Sequence, residues 1–258
     1  MAEKQIQKEK EENTAQIRQY FFDYLEEIKY KGIFGVSDFS SVFNNLMTVQ
    51  QEKLKSILQT QFADFMKTGS IICIGICIPP EIIDCINVKK DGVADKEKWN
   101  IYSKEYERLN NMLKKVSEDI SDKFGGIAIP PTIGAEMDNV VEYYPLTISH
   151  RVVAEQAGIG WRGKNELIIT EKYGPAVRFA SILINIPLIY GTKIENKCDE
   201  CNACLDVCSI LKNKKNLENY RQNCNQYILS LDLEHDVCGK CVKACFLNSI
   251  FKERFKSN

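Results

Sequence analysis

Cysteine offers more chemistry than any other residue type in this 258-residue chain. Eleven are present, and eight of them fall between Cys198 and Cys245. The first group runs Cys198-x2-Cys201-x2-Cys204-x3-Cys208. Three thiolates on so tight a loop can wrap three corners of a cubane [4Fe–4S] cluster, while the fourth opens the next helix, points away and ligates a second cluster. The second group, Cys238-x2-Cys241-x3-Cys245, repeats this form one cysteine short, and the lone Cys224 supplies the missing ligand. The count closes at eight thiolates for two clusters. Cys198, Cys201, Cys204 and Cys245 are assigned to one, and Cys208, Cys224, Cys238 and Cys241 to the other. Structural zinc is the rival reading, but three cysteines in a row at this spacing suit a cubane better than a zinc ribbon. The proline that usually follows the last cysteine of each run is replaced by Ser209 and Phe246, a change that removes no ligand. Two adjacent clusters make an electron wire, so the rest of the chain must hold whatever receives the electrons.

A second concentration of polar groups lies at Gly158-Ile-Gly160-Trp-Arg-Gly163. It matches the letters of the dinucleotide fingerprint, which works only between a strand and a helix and with an acidic residue about 20 positions on. Here Val152 to Ala157 reads as a preceding helix and position 183 is Leu, so a Rossmann site is rejected. A glycine-rich turn remains, crowded by Trp161, Arg162, Lys164 and Asn165. Backbone N–H groups and cations packed there suit a phosphate or the amide-bearing edge of a large cofactor. Outside these groups, Cys73 and Cys77 share one face of a strand over 71–78 and are expected to be small buried core residues. The variant reading is that Cys73, Gly75 and Cys77 form a low-relief face for a flat cofactor.

The elements that must position these groups follow from hydrophobic periodicity. One long helix is expected over residues 1–30, with Ile17, Tyr20, Phe21, Tyr24, Leu25 and Ile28 on its apolar side. A second is expected over about 49–65. A third, over 95–123, carries Tyr102, Tyr106, Leu109, Met112, Leu113, Val116 and Ile120 and stops at Gly125-Gly126. Ile127 to Ile133 reads as extended, Ser149 as the N-cap of a helix through Ala157, and 167–170 and 177–184 as strands. A domain boundary is placed after Tyr190, where composition turns cysteine-rich. Basic and acidic residues number 34 and 35, a net charge of −1, which argues against a protein that coats nucleic acid. The longest clean apolar run, Ile71 to Pro80, has ten residues, too few to span a bilayer, and the polar N-terminus lacks a signal-peptide core. A cytoplasmic location is expected, where thiols stay reduced and dense cysteine runs bind metal.

The order of these motifs resembles the epoxyqueuosine reductase family. The resemblance is carried by Ser149-His-Arg-Val-Val-Ala-Glu-Gln-Ala-Gly-Ile-Gly-Trp-Arg-Gly-Lys-Asn165, then Leu167-Ile-Ile-Thr170, Tyr173-Gly-Pro-Ala-Val-Arg178 and the eight cysteines. The stretch Tyr173 to Arg178 is also similar to the corrinoid reductive dehalogenases. The resemblance implies an α/β, nitroreductase-like cobalamin-binding domain over 1–190 and a ferredoxin-like double [4Fe–4S] domain over 191–258. It implies an oxidoreductase in which the clusters feed electrons to a corrinoid and then to a substrate. His150, Arg151, Gly158, Gly160, Trp161, Arg162, Lys164 and Asn165 would face the cofactor, although His150 reads equally as a satisfied core histidine. A corrinoid with a histidine ligand would need Asp-x-His-x-x-Gly, and neither His150 nor His235 sits in that motif. The family's proposed general acid is an aspartate at the position of Tyr144, whose phenol can also donate a proton; Asp138 and Glu142 are the fallbacks. The resemblance further implies an electron donor of ferredoxin or flavodoxin type and tRNA as a partner. Longer members grip tRNA with helical repeats, whereas this sequence stops at Asn258 after Lys252, Arg254 and Lys256. An alternative of another class is an electron-transfer partner of a separate corrinoid protein, with no substrate chemistry of its own.

Overall fold

The computed structural model describes residues 2–132 and 140–248. Its strands are β1 (Gly32–Asp38), β2 (Ser70–Cys77), β3 (Lys89–Lys90), β4 (Val93–Ala94), β5 (Ile127–Ile129), β6 (Gly160–Arg162), β7 (Ile168–Thr170) and β8 (Val177–Ile184). Four of them form a central antiparallel sheet in the order β1-β2-β8-β5, and β3-β4 and β6-β7 form two-stranded ribbons. The architecture is mixed α/β.

β2 lies at the centre, and every one of its residues is buried. Side chains alternate across a strand, so the run Ile71-Ile-Cys-Ile-Gly-Ile-Cys supplies two apolar faces. Ile72, Ile74 and Ile76 meet Ile17, Phe21 and Leu25 of the helix Ala2–Ile28, and Leu109, Leu113, Val116 and Ile120 of the helix Lys96–Phe124. Ile71, Cys73 and Cys77 meet Phe39, Leu54, Leu58, Phe65, Val152 and Val153 on the other side. The flat-cofactor reading of this second face does not hold. A Cβ on Gly75 would lie 2.6 Å from Val177 Cγ1 and 2.9 Å from Phe179, so β8 already fills the space. Burial pushes both thiols up, Cys77 to about 12.

The long helix Lys96–Phe124 begins where the Asp95 carboxylate accepts the Lys98 N–H at 3.1 Å, and ends at Gly125 with φ +76°, a left-handed conformation that glycine adopts without cost. The helix expected over 49–65 is broken into Thr48–Leu58, a 3-10 turn at Gln59–Gln61, and Phe62–Thr68. Gln59 takes φ +46° at the break. The change of direction brings Phe62 and Phe65 onto Phe39 and Phe43, with ring centroids 5.1–6.2 Å apart. Ser149 occupies the N-cap position of the helix His150–Gln156 but makes no side-chain capping bond. Periodicity missed β1 and the helix Phe39–Asn45 that follows it.

Beyond β8 the chain forms short helices, Ala203–Asp206, Ser209–Lys212, Tyr220–Ser230 and Lys240–Asn248. This segment is fastened to the preceding part by packing and by backbone capture. Val237, Val242 and Phe246 join the cluster of Ile83, Ile86, Trp99 and Tyr102. Trp99 Nε1 donates to the Cys238 carbonyl at 2.8 Å, and Lys243 Nζ donates to the carbonyls of Asp84 and Ile86, each at 2.8 Å. Leu109→Ala leaves a void against β2 and is expected to cost about 2–5 kcal/mol, read as a lowered midpoint in urea unfolding with an unchanged slope.

Candidate functional site

Among the described residues the eight clustered thiols fall into two neighbourhoods. Burial, then the charges of Cys198 and Cys201, hold Cys204 up at about 11. Cys245 lies in a small apolar cluster with Trp161 and Ile169, and Cys198 packs against it. In the other neighbourhood, burial and then Cys208 raise Cys224. Burial raises Cys238 to about 11, with Cys224 and Cys208 among its charged neighbours. Cys241 is raised well above its ordinary value, first by burial and then by Cys238, Cys224, Cys208 and Cys204 in that order. Cys241 therefore lies in the field of both groups, and Cys245 sits one turn further along the same helix, Lys240–Asn248. Buried thiols this close ionise together only when a cation compensates them. Among the described residues no three His, Cys, Asp or Glu side chains converge as one metal ion requires.

The β6-β7 turn grips the first cysteine loop. Lys164 Nζ donates to the Asp199 carbonyl at 2.6 Å and to Asn202 Oδ1 at 3.0 Å. Asn196 Nδ2 donates to the Arg162 carbonyl at 2.8 Å, and Asn196 Oδ1 accepts the Cys198 N–H at 2.8 Å. Lys197 pairs with Glu171 and lies over the buried Trp161 ring, 5.8 Å from its centroid. Gly158, at φ +67°, and Gly160 sit directly against the backbone of Thr192 and Ile169, where no Cβ fits. Trp161 and Lys164 thus bind the cysteine loop to the β6-β7 ribbon. Arg151 Nη1 donates to the Glu166 carbonyl at 2.7 Å, and Arg162 Nη2 lies 3.6 Å from Glu155. Arg162 Nε and Asn165 Nδ2 are buried with no hydrogen-bond partner among the described residues.

His150 is a core residue: its Nε2–H donates to the Pro130 carbonyl at 2.9 Å, and its Nδ1 accepts from Ser181 Oγ at 2.8 Å. Both ring nitrogens are therefore spent. Tyr144 is half-buried in a 3-10 turn, Tyr144–Leu146, against the helix Thr48–Leu58. Glu142 is exposed on the helical turn Val140–Tyr143, which touches the Cys224-bearing helix Tyr220–Ser230. Asp138, Lys252, Arg254 and Lys256 lie outside the described residues.

Sequence reasoning missed a cavity of about 510 Å³ between the end of the first helix, the start of β1 and the turn after β7. Phe22, Tyr30, Phe34 and Tyr173 supply aromatic walls, and Arg18, Lys31, Lys172 and Glu26 supply charge. The only signal in the sequence was the Tyr173-Gly-Pro turn. Glu171, immediately before that wall, pairs with the lysine immediately before Cys198. One turn therefore joins the cavity to the first thiol neighbourhood.

No family model matches the chain. Among its curated relatives are oxidoreductases named epoxyqueuosine reductase. The Bacillus subtilis (strain 168) protein is 30% identical over 150 residues, 55% of this chain and 34% of its own length. The Listeria monocytogenes protein is 32% identical over 149 residues, 56% of this chain and 36% of its own length. The one from Aliivibrio fischeri is 27% identical over 139 residues, 53% of this chain and 35% of its own length. The chain is thus homologous to epoxyqueuosine reductases over about half its length, and the match spans about a third of theirs. A crystal structure of selenomethionine-labelled epoxyqueuosine reductase shares the fold with a TM-score of 0.50 at 20% identity, covering 92% of this chain and 67% of that one.

His150 also makes stability depend on pH. Burial is the main cause that lowers it from 6.5 to about 4, and Arg178 adds to the effect. The unfolded chain then takes up the proton first, so stability is complete above about pH 6.5 and falls as pH drops towards 4. The loss is about 3 kcal/mol at 1.36 kcal/mol per unit. His150→Gln should lack that share of the slope in urea unfolding compared at pH 7 and pH 4; parallel profiles for the two proteins would exclude the assignment.

Proposed function

We propose that this chain is an iron–sulfur reductase carrying two [4Fe–4S] clusters on its eight clustered cysteines and delivering electrons to an acceptor in the preceding α/β part. The observation that carries the reading is the grouping of the thiols: Cys198, Cys201, Cys204 and Cys245 lie near Trp161 and the cavity turn, with Cys208, Cys224, Cys238 and Cys241 behind them. Cys208, Cys224, Cys238 and Cys241 would hold one cluster and Cys198, Cys201, Cys204 and Cys245 the other, and the two would supply one-electron transfer from a ferredoxin- or flavodoxin-type donor.

A corrinoid is the acceptor favoured by the likeness to the family, and when bound it supplies a strong reductant beside the substrate. The cavity lining suits part of a large flat group with amide edges: Phe34 and Tyr173 are aromatic, and Lys31, Lys172 and Arg18 carry donors beside Glu26. His150 is spent in the core, in keeping with binding that uses no histidine ligand. Trp161 and Lys164 hold the cysteine loop in place, and Tyr144 is the group proposed to give a proton to the reduced substrate. The relatives' name supports an epoxyqueuosine-type substrate, and the resemblance of the motifs extends the proposal to tRNA as the partner and the cytoplasm as the location. Among the described residues no helix is long and apolar enough to cross a membrane.

Anaerobically purified protein should hold about eight iron and eight sulfide per chain, the content of two cubanes. Cys198→Ala and Cys208→Ala should each lose about half of it; colourless protein with stoichiometric zinc would overturn the reading. Added cobalamin should change its visible spectrum when the clusters are reduced. Cluster-loaded protein that retains no cobalamin yet reduces a separate corrinoid protein would instead make the chain an electron carrier.

A further inference from the structure

We propose that the chain carries a phosphate-binding seat where Arg151, Arg162 and Arg221 converge beside the buried amide of Asn165, outside the cavity and within one helical turn of Cys224. The three guanidiniums come from different segments: the helix His150–Gln156, the end of β6, and the first turn of the helix Tyr220–Ser230. Arg151 lies in the field of both others and of Glu166; burial, then Arg221 and Arg162, lower it to about 10, against smaller raising effects of Tyr220 and Glu166, and it remains a cation at neutral pH.

The chain neutralises them only in part, with Glu166 in the field of Arg151 and Glu155 beside Arg162. Arg151 is bonded to a backbone carbonyl, that of Glu166. The Glu166 carboxylate is taken by Lys214 at 2.5 Å, and Glu155 is shared between Arg162 at 3.6 Å and Lys193 at 3.1 Å. Among the described residues no carboxylate forms an ion pair with Arg151 or Arg221. Asn165 is 5% exposed, and its Oδ1 accepts the Leu167 N–H at 3.1 Å. That bond fixes the carboxamide and leaves Nδ2 as an unanswered donor in the same turn as the unanswered Nε of Arg162. Buried donors without acceptors are costly and rare. An oxyanion with several acceptor oxygens answers the two donors and the guanidinium forks together, and phosphate matches the fork geometry. The need for several acceptors on one centre disfavours chloride.

The test is calorimetric titration of the cluster-loaded protein with inorganic phosphate against chloride of equal ionic strength. Phosphate should bind with a Kd of about 1 mM or tighter, and Arg221→Ala should weaken it about tenfold or more. Arg221→Lys, which keeps the charge and loses the fork, should fall between the two. In the unmutated protein the side-chain amide signals of Asn165 should shift with phosphate in a nitrogen-15 NMR spectrum, a readout that no misfolded variant can confuse. A dimethyl phosphate arm separates the sources: competition with phosphate marks a seat for a phosphodiester within a larger ligand, and its failure to compete marks a seat for a free phosphate or monoester. Either result requires phosphate binding itself. No binding beyond chloride, a silent Asn165 amide, or unchanged affinity in Arg221→Ala would overturn the proposal. The readout is anion binding rather than iron or reduction, so its failure leaves the redox reading standing.

Discussion

Thiolates held close together repel, and a short polar loop rich in cysteine cannot resist that repulsion from within. The constraint on which the molecule depends is therefore external: the cysteine loops must be tied to a rigid body. Lys164 ties the first loop, its ammonium spanning the Asp199 carbonyl and the Asn202 amide, and Trp99 ties the last one through the Cys238 carbonyl. Each tie is a side chain on the sheet-bearing part capturing backbone in the cysteine-rich part. Such bonds set the place of a loop without fixing the identity of its side chains.

The rigid body owes its stiffness to β2. A strand whose two faces are both filled, by Leu109, Leu113 and their neighbours on one side and by Phe39, Leu54 and Val153 on the other, has nowhere to move. The helix Lys96–Phe124 then transmits that position along its length. Its middle packs on the sheet, while Trp99 and Tyr102 near its start pack against Val237, Val242 and Phe246. The same helix therefore organises the core and the second thiol neighbourhood, and the turn Glu171 to Tyr173 links the first neighbourhood to the cavity.

Polar groups in the glycine-rich turn divide by what they touch. Lys164 and the backbone of Arg162 face the cysteine loop, whereas the Arg162 guanidinium lies beside Glu155 and Asn165 Oδ1 accepts the Leu167 N–H. A single turn can do both because β6 and β7 pair as a ribbon, register Trp161 to Ile169, and the connecting residues project from its end. Histidine and cysteine in the core, by contrast, are satisfied locally: His150, Ser181 and Pro130 form a closed hydrogen-bonded chain.

Strong periodic segments were legible in the sequence alone. The helix Lys96–Phe124 and the strand Val177–Ile184 announce themselves because their apolar residues recur at 3.6 and at short strand spacing, and the Asp95 and Gly125 caps are local chemistry. Thiol spacing is legible for the same reason, since three cysteines two residues apart are neighbours in any folded loop. β1 was hidden because Gly32 and Gly35 read as breakers in isolation. In the fold, Gly35 makes room for Ile159, whose Cγ1 would lie 2.7 Å from any Cβ there. The cavity, the convergence of three arginines and the tie from Lys164 to Asp199 join residues tens of positions apart. No local pattern encodes such contacts, because side chains meet there only after the sheet has closed and loop entropy has been offset by the buried core.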